Sequence, residues 1–140
     1  MKSADFDHVI DLPRRSNVVY VLFYDRNNGE GERPFYVGET DRFGARMMDY
    51  VIATFGSAAD FRVGEAIRYL IKNGAGVKVG YKECPSRKDA RIMERDYIKQ
   101  LHGEGVGLIN KLRSYNYRTA IDSDERKRVH EFCDQKILKR

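Results

Sequence analysis

The stretch PFYVGETDRFGARMMDY, residues 34–50, decides the fold of this chain. It opens with an aromatic, strand-like run at 35–37 that breaks at Gly38, and a helical run follows from about Asp41. Upstream, NVVYVLFY at 17–24 is almost continuously apolar and rich in β-branched and aromatic residues, which predicts a strand buried on both faces. The turn-forming segment DRNNGEGERP separates the two runs, so the sequence predicts an antiparallel hairpin with a long loop.

The alternation of side chains along this hairpin brings three residues together. A period of two places Tyr20 on one face of the first strand, and Tyr36 and Gly38 on one face of the second. If these faces match across the hairpin, two phenolic hydroxyls lie near a glycine. The missing side chain at Gly38 then leaves room for a ligand or for another backbone segment.

The remaining pattern predicts one α+β domain spanning residues 1–140. Asp41 is the predicted N-cap of the first helix, Ser86 with Asp89 resembles a capping box for the third, and Asn73-Gly74 ends the second. We expect an α/β sandwich with a small, three-stranded, mostly antiparallel sheet flanked by helices. The predicted strands are about 17–24, 34–39 and 77–83, the helices about 41–53, 62–73 and 86–102, with a C-terminal helix at about 122–138 and an N-terminal arm at 1–15.

Composition narrows the class of protein. The 140 residues are 41% hydrophobic and 34% charged, with a net charge of +5 that is compatible with a polyanionic partner such as DNA. No apolar run approaches the roughly 20 residues of a membrane helix. The N-terminal segment has no secretory signal pattern, and Cys84 and Cys133 have no zinc-site spacing. We therefore expect no membrane partner, a cytoplasmic location and two reduced thiols.

Glu94 is the anomaly in the third predicted helix. It falls on the apolar stripe of that helix, where a carboxylate is costly unless a cation or hydrogen-bond donors meet it. An ion pair with Arg91 or Arg95, or a stripe edge that reaches water, is the structural explanation. The rest of the stripe consists of Ala90, Tyr97, Ile98 and Leu101.

Five elements in order give this anomaly a second explanation. They are Val18-Val19-Tyr20, Tyr36-Val37-Gly38, Arg46, Glu94 and Asn110, each on the expected kind of element. Over residues 17–112 the chain resembles the GIY-YIG nuclease family. It departs from that pattern in three ways: Val18 and Val19 replace the glycine and isoleucine of the first motif, the hairpin loop is longer, and Tyr50 stands where many members have histidine. The nuclease subunit of bacterial excision repair is similar to this chain at that last position.

The resemblance implies a metal-dependent DNA endonuclease that hydrolyses phosphodiester bonds. It makes Tyr20 the general base, Tyr36 a group that orients water or phosphate, and Arg46 the cation that holds the scissile phosphate. A tyrosine suits the base role only if positive charge lowers its pKa from about 10. We expect Arg46 and a metal ion to do so.

The resemblance also assigns the metal and the supporting residues. Glu94 becomes the single protein ligand of one Mg²⁺ (or Mn²⁺), with waters and substrate phosphate completing the shell. Gly38 and Tyr50 are expected to contact the substrate. Asn110 is expected to bond the backbone near the hairpin, although an ordinary loop asparagine explains it equally well.

Two other functions stay open. One is a catalytically inactive nucleic-acid-binding module on the same scaffold, and the other is a protein-interaction domain that uses the terminal amphipathic helix. The charged run of Arg126, Lys127 and Arg128 in that helix is read as a solvated face, with DNA contact as its alternative. The sequence leaves open the oligomeric state, including a homodimer. It also leaves open DNA specificity and the choice among restriction, mobile-element and repair roles.

Overall fold

A four-stranded antiparallel sheet organises the protein in a computed structural model that describes residues 2–5, 16–52, 60–112 and 121–139. The three predicted strands and the α+β class are confirmed, and a fourth strand, Lys2–Asp5, pairs with the last of the three. That strand lies within the predicted N-terminal arm, whose residues 6–15 are outside the described part. In chain order the strands are β1 Lys2–Asp5, β2 Asn17–Asp25, β3 Glu32–Thr40 and β4 Gly76–Cys84, and their order in the sheet is β1-β4-β2-β3.

The predicted helices are present with shifts of one or two residues at their ends. They are α1 Phe43–Ile52, α2 Phe61–Lys72, α3 Arg87–Gly103 and α4 Asp122–Phe132. Helix α4 continues as a π-helical segment, Cys133–Ile137. A short 3-10 helix spans Ile109–Lys111. Residue 53, the predicted end of the first helix, lies outside the described residues. Among the helices in the described part of the chain, none is long and apolar enough to cross a membrane.

The observed N-terminal cap of α3 is the one predicted from the sequence, and the predicted cap of α1 is not observed. The Ser86 hydroxyl accepts a hydrogen bond from the Asp89 N–H at 3.1 Å, as the capping-box pattern predicts. The prediction that Asp41 is an N-cap is wrong because α1 begins two residues later, and Thr40 Oγ1 instead accepts from the Arg42 N–H at 3.0 Å. Asp41 lies in the connection, where its carboxylate meets Arg87 at 3.5 Å.

Both faces of the sheet are buried, as the apolar run of β2 predicts. The first face carries Tyr20 and Leu22 and packs against α1, α2 and α4. The second face carries Val19 and Val21 and packs against α3 and the segment after it. This division decides where the candidate site residues lie, because α1 and α3 approach β3 from opposite faces.

A bulge in β3 changes the alternation expected from a period of two. Leu22 pairs with Tyr36 and Phe23 pairs with Pro34, so Phe35 is an extra residue without a partner on β2. Phe35 and Tyr36 consequently both pack in the core of the first face. Tyr20 pairs with Gly38, so the two predicted faces match across the hairpin, and the bulge turns one more aromatic ring inward.

The C-terminal helix packs on the domain through a buried carboxylate. Glu65 of α2, with 5% of its surface exposed, meets the His130 ring nitrogen at 2.9 Å, Arg126 at 2.9 Å and Arg68 at 3.1 Å. Two cations considered for DNA contact are therefore engaged within the protein: Arg126 with Glu65, and Arg128 with Glu125 at 2.8 Å. Cys133 is a free thiol on the same apolar stripe, and its burial raises its pKa to about 12.

Replacing Glu65 by Gln is expected to lower the free energy of unfolding by roughly 1–3 kcal/mol at neutral pH, since it removes charge-assisted bonds to three partners. Burial raises the pKa of Glu65, but the bonds from His130 and Arg68 and the charge of Arg126 outweigh it, so its net pKa is lowered. A lowered pKa stabilises the fold above the ordinary carboxyl pKa, and that stabilisation disappears as the pH falls through the folded value.

Urea denaturation between pH 3 and pH 7 measures this effect, with Glu131→Gln as a control because Glu131 is exposed on α4. The difference between wild type and Glu65→Gln should shrink toward low pH. A difference that is constant with pH would contradict the role given to the Glu65 charge.

Candidate active site

Three tyrosines from β2, β3 and α1 meet on the first face of the sheet. The hydroxyls of Tyr20 and Tyr50 are 2.5 Å apart, and the ring of Tyr36 lies 6.1 Å from that of Tyr20 and 6.4 Å from that of Tyr50, between centroids. The Tyr36 hydroxyl is also within hydrogen-bonding reach of Tyr50. Tyr50 is therefore the common neighbour of the other two phenols. We call these three residues the tyrosine cluster.

Gly38 makes the cluster possible by having no side chain. It pairs with Tyr20 across the hairpin, and a Cβ atom at Gly38 would lie 2.4 Å from both Cζ and the hydroxyl of Tyr20. The room predicted at Gly38 exists, but the Tyr20 phenol fills it. Gly38 thus admits the Tyr20 ring, and its expected contact with substrate stays a prediction.

Arg46 joins the cluster from α1, at the border between its buried and its exposed side. Its position one turn before Tyr50 places both side chains on the same side of the helix, and its half-buried guanidinium lies against the Tyr50 hydroxyl and faces Tyr20 and Tyr36. Burial lowers the pKa of Arg46, but the three phenols outweigh it and raise the net value. The cluster therefore carries a permanent positive charge at its rim.

The pKa values of the phenols differ from the sequence-based expectation. Burial, followed by the neighbouring phenols Tyr50 and Tyr36, raises the pKa of Tyr20 well above its usual value, and Arg46 offsets this only in part. The pKa of Tyr36 is raised well above its usual value by burial and by Tyr50. That of Tyr50 is raised by burial, against which the bond from Tyr20 and the charge of Arg46 act. Arg46 lowers the pKa of Tyr20 as expected, but burial and the neighbouring phenols outweigh it, and the expected contribution of a metal ion stays a prediction.

A second arginine beside the cluster was missed in the sequence. Arg62, in the first turn of α2, pairs with Asp60 at 2.7 Å and donates to the carbonyl of Leu112. Burial lowers the pKa of Arg62. Asp60, followed by Tyr36 and Tyr50, outweighs burial and raises the net pKa. The Asp60 N-cap signal could have placed Arg62 at a helix start, but its nearness to Tyr36 arises from the packing of α2 on the sheet.

Asn110 binds the open edge of β3. Its side-chain oxygen accepts from the Val37 N–H at 3.0 Å, and its amide donates to the Val37 carbonyl at 2.7 Å. Both backbone groups face the side of β3 that is turned away from β2, where the described part of the chain has no further strand. The contact is the one expected of Asn110, a side chain bonded to the backbone near the hairpin.

Glu94 lies at the same open edge, but from the second face. On an antiparallel edge strand the N–H groups of alternate residues point the same way, so Val37 and Glu39 both point outward. The Glu39 N–H is hydrogen-bonded to the half-buried Glu94 carboxylate. In the described chain, no hydrogen bond or ion pair connects Glu94 with Tyr20, Tyr36 or Arg46.

The charge around Glu94 suits a cation. Burial and the neighbouring Glu39 carboxylate raise the pKa of Glu94, and the Glu39 N–H and Arg91 counteract them only partly. Glu39 itself is bridged by Arg87 at 3.3 Å and Arg91 at 3.5 Å. Carboxylate oxygens are the ligands that Mg²⁺ prefers, and a divalent ion would offset the repulsion at Glu94, so this residue fits the expected ligand role.

The structure therefore brings the predicted residues together in two groups on either side of one strand. The tyrosine cluster, Gly38 and Arg46 form one group, and Glu94 with Asn110 occupies the open edge of β3. Neither group lines the surface cleft of about 290 Å³ beside Tyr24 and Lys136 or the one of about 480 Å³ beside Cys84 and Ile92.

Comparison with known proteins adds no relative to this description. No protein-family model, no curated protein and no solved structure matches the chain. The resemblance to GIY-YIG nucleases consequently stays a hypothesis carried by the residues and geometry given above.

Proposed function

We propose that this protein is a metal-dependent DNA endonuclease of the GIY-YIG type. The observation that carries the proposal is the grouping of Arg46 with the tyrosine cluster at the strand whose open edge is bound by Glu94. A fold needs neither a half-buried arginine over three phenols nor a carboxylate at a strand edge, and both arrangements cost desolvation energy. Their occurrence around one short segment of β3 supports a site for a phosphodiester.

Arg46 is assigned to the scissile phosphate. A guanidinium presents paired donors that match phosphate oxygens, and it retains its charge through any pH at which DNA is stable. Its partial burial strengthens the attraction relative to a fully solvated cation. In this role Arg46 positions the phosphorus atom and stabilises negative charge that develops on its oxygens.

Tyr20 is assigned to proton acceptance together with Tyr50. An ionised tyrosine cluster shares its negative charge through the hydrogen bond between these two residues, next to Arg46, so the cluster titrates as a unit. With the ionised hydroxyl on Tyr50, Tyr20 passes its own proton to the Tyr50 phenolate and takes one from the attacking water, so that both phenols end neutral and the water becomes the nucleophilic hydroxide. Tyr36, the half-buried member, is assigned to orienting water or phosphate at the rim.

Glu94 is assigned to one Mg²⁺ or Mn²⁺. When bound, such an ion supplies Lewis-acid stabilisation of the phosphate and of the departing oxygen. The contribution of Glu94 is its negative charge, which its bond to the Glu39 N–H holds in place. DNA as partner and a cytoplasmic location belong to this proposal, and the free thiols Cys84 and Cys133 support the latter.

An inactive nucleic-acid-binding module is the second candidate, and one observation favours it. Tyr20 and Tyr50 are each only 1% exposed, so neither reaches bulk water as the chain stands. Cleavage would require that DNA binding opens the rim or that the Tyr36 hydroxyl relays the proton. A binding module needs no such step.

Nicking of supercoiled plasmid in Mg²⁺, Mn²⁺ or EDTA tests the proposal, with Arg46→Ala as the variant. We expect wild-type cleavage to require metal and Arg46→Ala to cleave about 10²- to 10³-fold more slowly, as when one charge-stabilising donor is removed. Lys72→Gln is the control for lost positive charge, because Lys72 is exposed on α2. Equal rates for wild type and Arg46→Ala would reject the assigned site, and binding without cleavage in any metal would favour the second candidate.

A further inference from the structure

Helix α3 has a strongly asymmetric charge distribution. At 3.6 residues per turn, its Lys and Arg residues fall within an arc of about 120° on one flank. The exposed acidic residues Asp89 and Asp96 lie outside that arc, on the opposite flank. We call the basic set the α3 basic flank, and it consists of Arg87, Lys88, Arg91, Arg95 and Lys99.

Four members of the flank form a row at four-residue spacing. Arg87, Arg91, Arg95 and Lys99 follow one another by about 6 Å, so the row is about 18 Å long. Such a row presents regularly spaced cations to a linear polyanion. Within α3 no Asp or Glu stands four residues from a member of this row, so its positive charges are not balanced by i, i+4 ion pairs.

The row runs past the candidate metal ligand. Glu94 projects between the flank and the sheet, toward the open edge of β3, where the first members of the row also lie. Arg87 and Arg91 bridge Glu39 of that strand. The flank therefore leads from open surface directly to the place where Glu94 and Asn110 bind β3.

The far end of the row is open to solvent. Arg95 is 75% exposed and its one ion pair in the described chain, with Asp96, spans 3.8 Å. An exposed pair at that separation is worth little, so it does not compete with a phosphate. Lys88 and Lys99 are also exposed.

We infer that the α3 basic flank binds the sugar-phosphate backbone of DNA and guides it to the open edge of β3. This inference names the substrate-binding surface of the proposed nuclease and in that sense rests on the proposed function. Binding through backbone phosphates is independent of base sequence and falls steeply with salt. The flank therefore supplies affinity and direction, and it does not supply sequence specificity.

Salt-dependent binding of a labelled DNA duplex by the full chain, measured by fluorescence anisotropy in EDTA, tests the inference without cleavage. The variant is Arg95→Gln/Lys99→Gln, and the matched control is Lys72→Gln/Lys136→Gln, which removes the same charge from exposed sites on α2 and on the π-helical segment. We expect the slope of log K against log salt to fall by about 1.8 in the variant, for two lost phosphate contacts, and by much less in the control.

An equal decrease in the salt slope in the variant and in the control would show that only net charge matters, and it would overturn the inference. An absence of DNA binding by wild type would also overturn it. Thermal melting verifies that both variants fold, and Lys99→Gln alone, with an expected decrease of about 0.9, replaces the double variant if that one is destabilised. Plasmid nicking separates the two proposals. If the salt slope falls in the double variant but wild type does not cleave plasmid, the binding surface is supported and the nuclease proposal is rejected. If wild type cleaves plasmid but the slope is unchanged in the variant, the nuclease proposal is supported and the binding surface is rejected.

Discussion

Replacing Glu94 by Gln is expected to reduce the rate of metal-dependent DNA cleavage by at least about 10³-fold, because loss of a bound Mg²⁺ removes several kcal/mol of charge stabilisation. Glutamine has the same shape as glutamate, and its amide oxygen can still accept from the Glu39 N–H. The hydrogen bond between residue 94 and the Glu39 N–H should therefore remain in the variant. The melting temperature of the variant should stay close to that of wild type. Only the negative charge is removed.

Single-turnover nicking over a range of Mg²⁺ concentrations measures this effect. Glu83→Gln is the matched control, because Glu83 is an exposed carboxylate at the end of β4. Wild type and Glu83→Gln should respond equally to Mg²⁺, and Glu94→Gln should not recover at any concentration. Wild-type rates from Glu94→Gln would show that the metal, if one is used, is bound elsewhere.

Replacing Gly38 by Ala is expected to disrupt the tyrosine cluster with a single methyl group. The added Cβ would lie 2.4 Å from Cζ and the hydroxyl of Tyr20, a separation that packed atoms do not tolerate. Tyr20 is buried against Tyr36, Tyr50 and Phe43, so its ring has no free space to move into. We expect a loss of about 1–3 kcal/mol in the free energy of unfolding, typical of overpacking, together with cleavage reduced by at least about 10²-fold.

Urea denaturation and plasmid nicking together measure the consequence of this substitution. Gly76→Ala provides the control, because Gly76 is also a strand glycine and its added Cβ would meet no atom of the described chain within 4 Å. That control should retain its stability and activity. A Gly38→Ala protein that is stable and active would show that the Tyr20 ring can move without cost, which would remove the argument for a fixed position of its hydroxyl.

The local parts of this fold could be predicted from the sequence. The apolar run of β2, the Ser86 cap and the apolar stripe of α4 depend on neighbouring residues in the chain, so their signals are complete within short segments. The pairing of Tyr20 with Gly38 could also be anticipated, because period-two alternation and one hairpin loop are enough to match the faces. Asn110 was found through the family pattern and not through any local signal.

The parts that could not be predicted depend on burial and on distant contacts. The short β1 has too few residues for an alternation pattern, and it is a strand only because β4 offers a free edge. The raised pKa of Tyr20 follows from how completely α1 covers it, which no spacing reports. Arg62 reaches the cluster only through the packing of α2, and the bulge at Phe35 appears only in the register of the two strands.

The open edge of β3 also bears on how the protein stays a separate molecule. An unpaired strand edge can recruit a strand from another chain and so begin aggregation. Asn110 occupies the N–H and carbonyl of Val37, and Glu94 occupies the N–H of Glu39, so side chains of the same molecule cover this part of the edge. Glu94, the proposed metal ligand, and Asn110 thereby also hinder the pairing of β3 with a strand of another molecule.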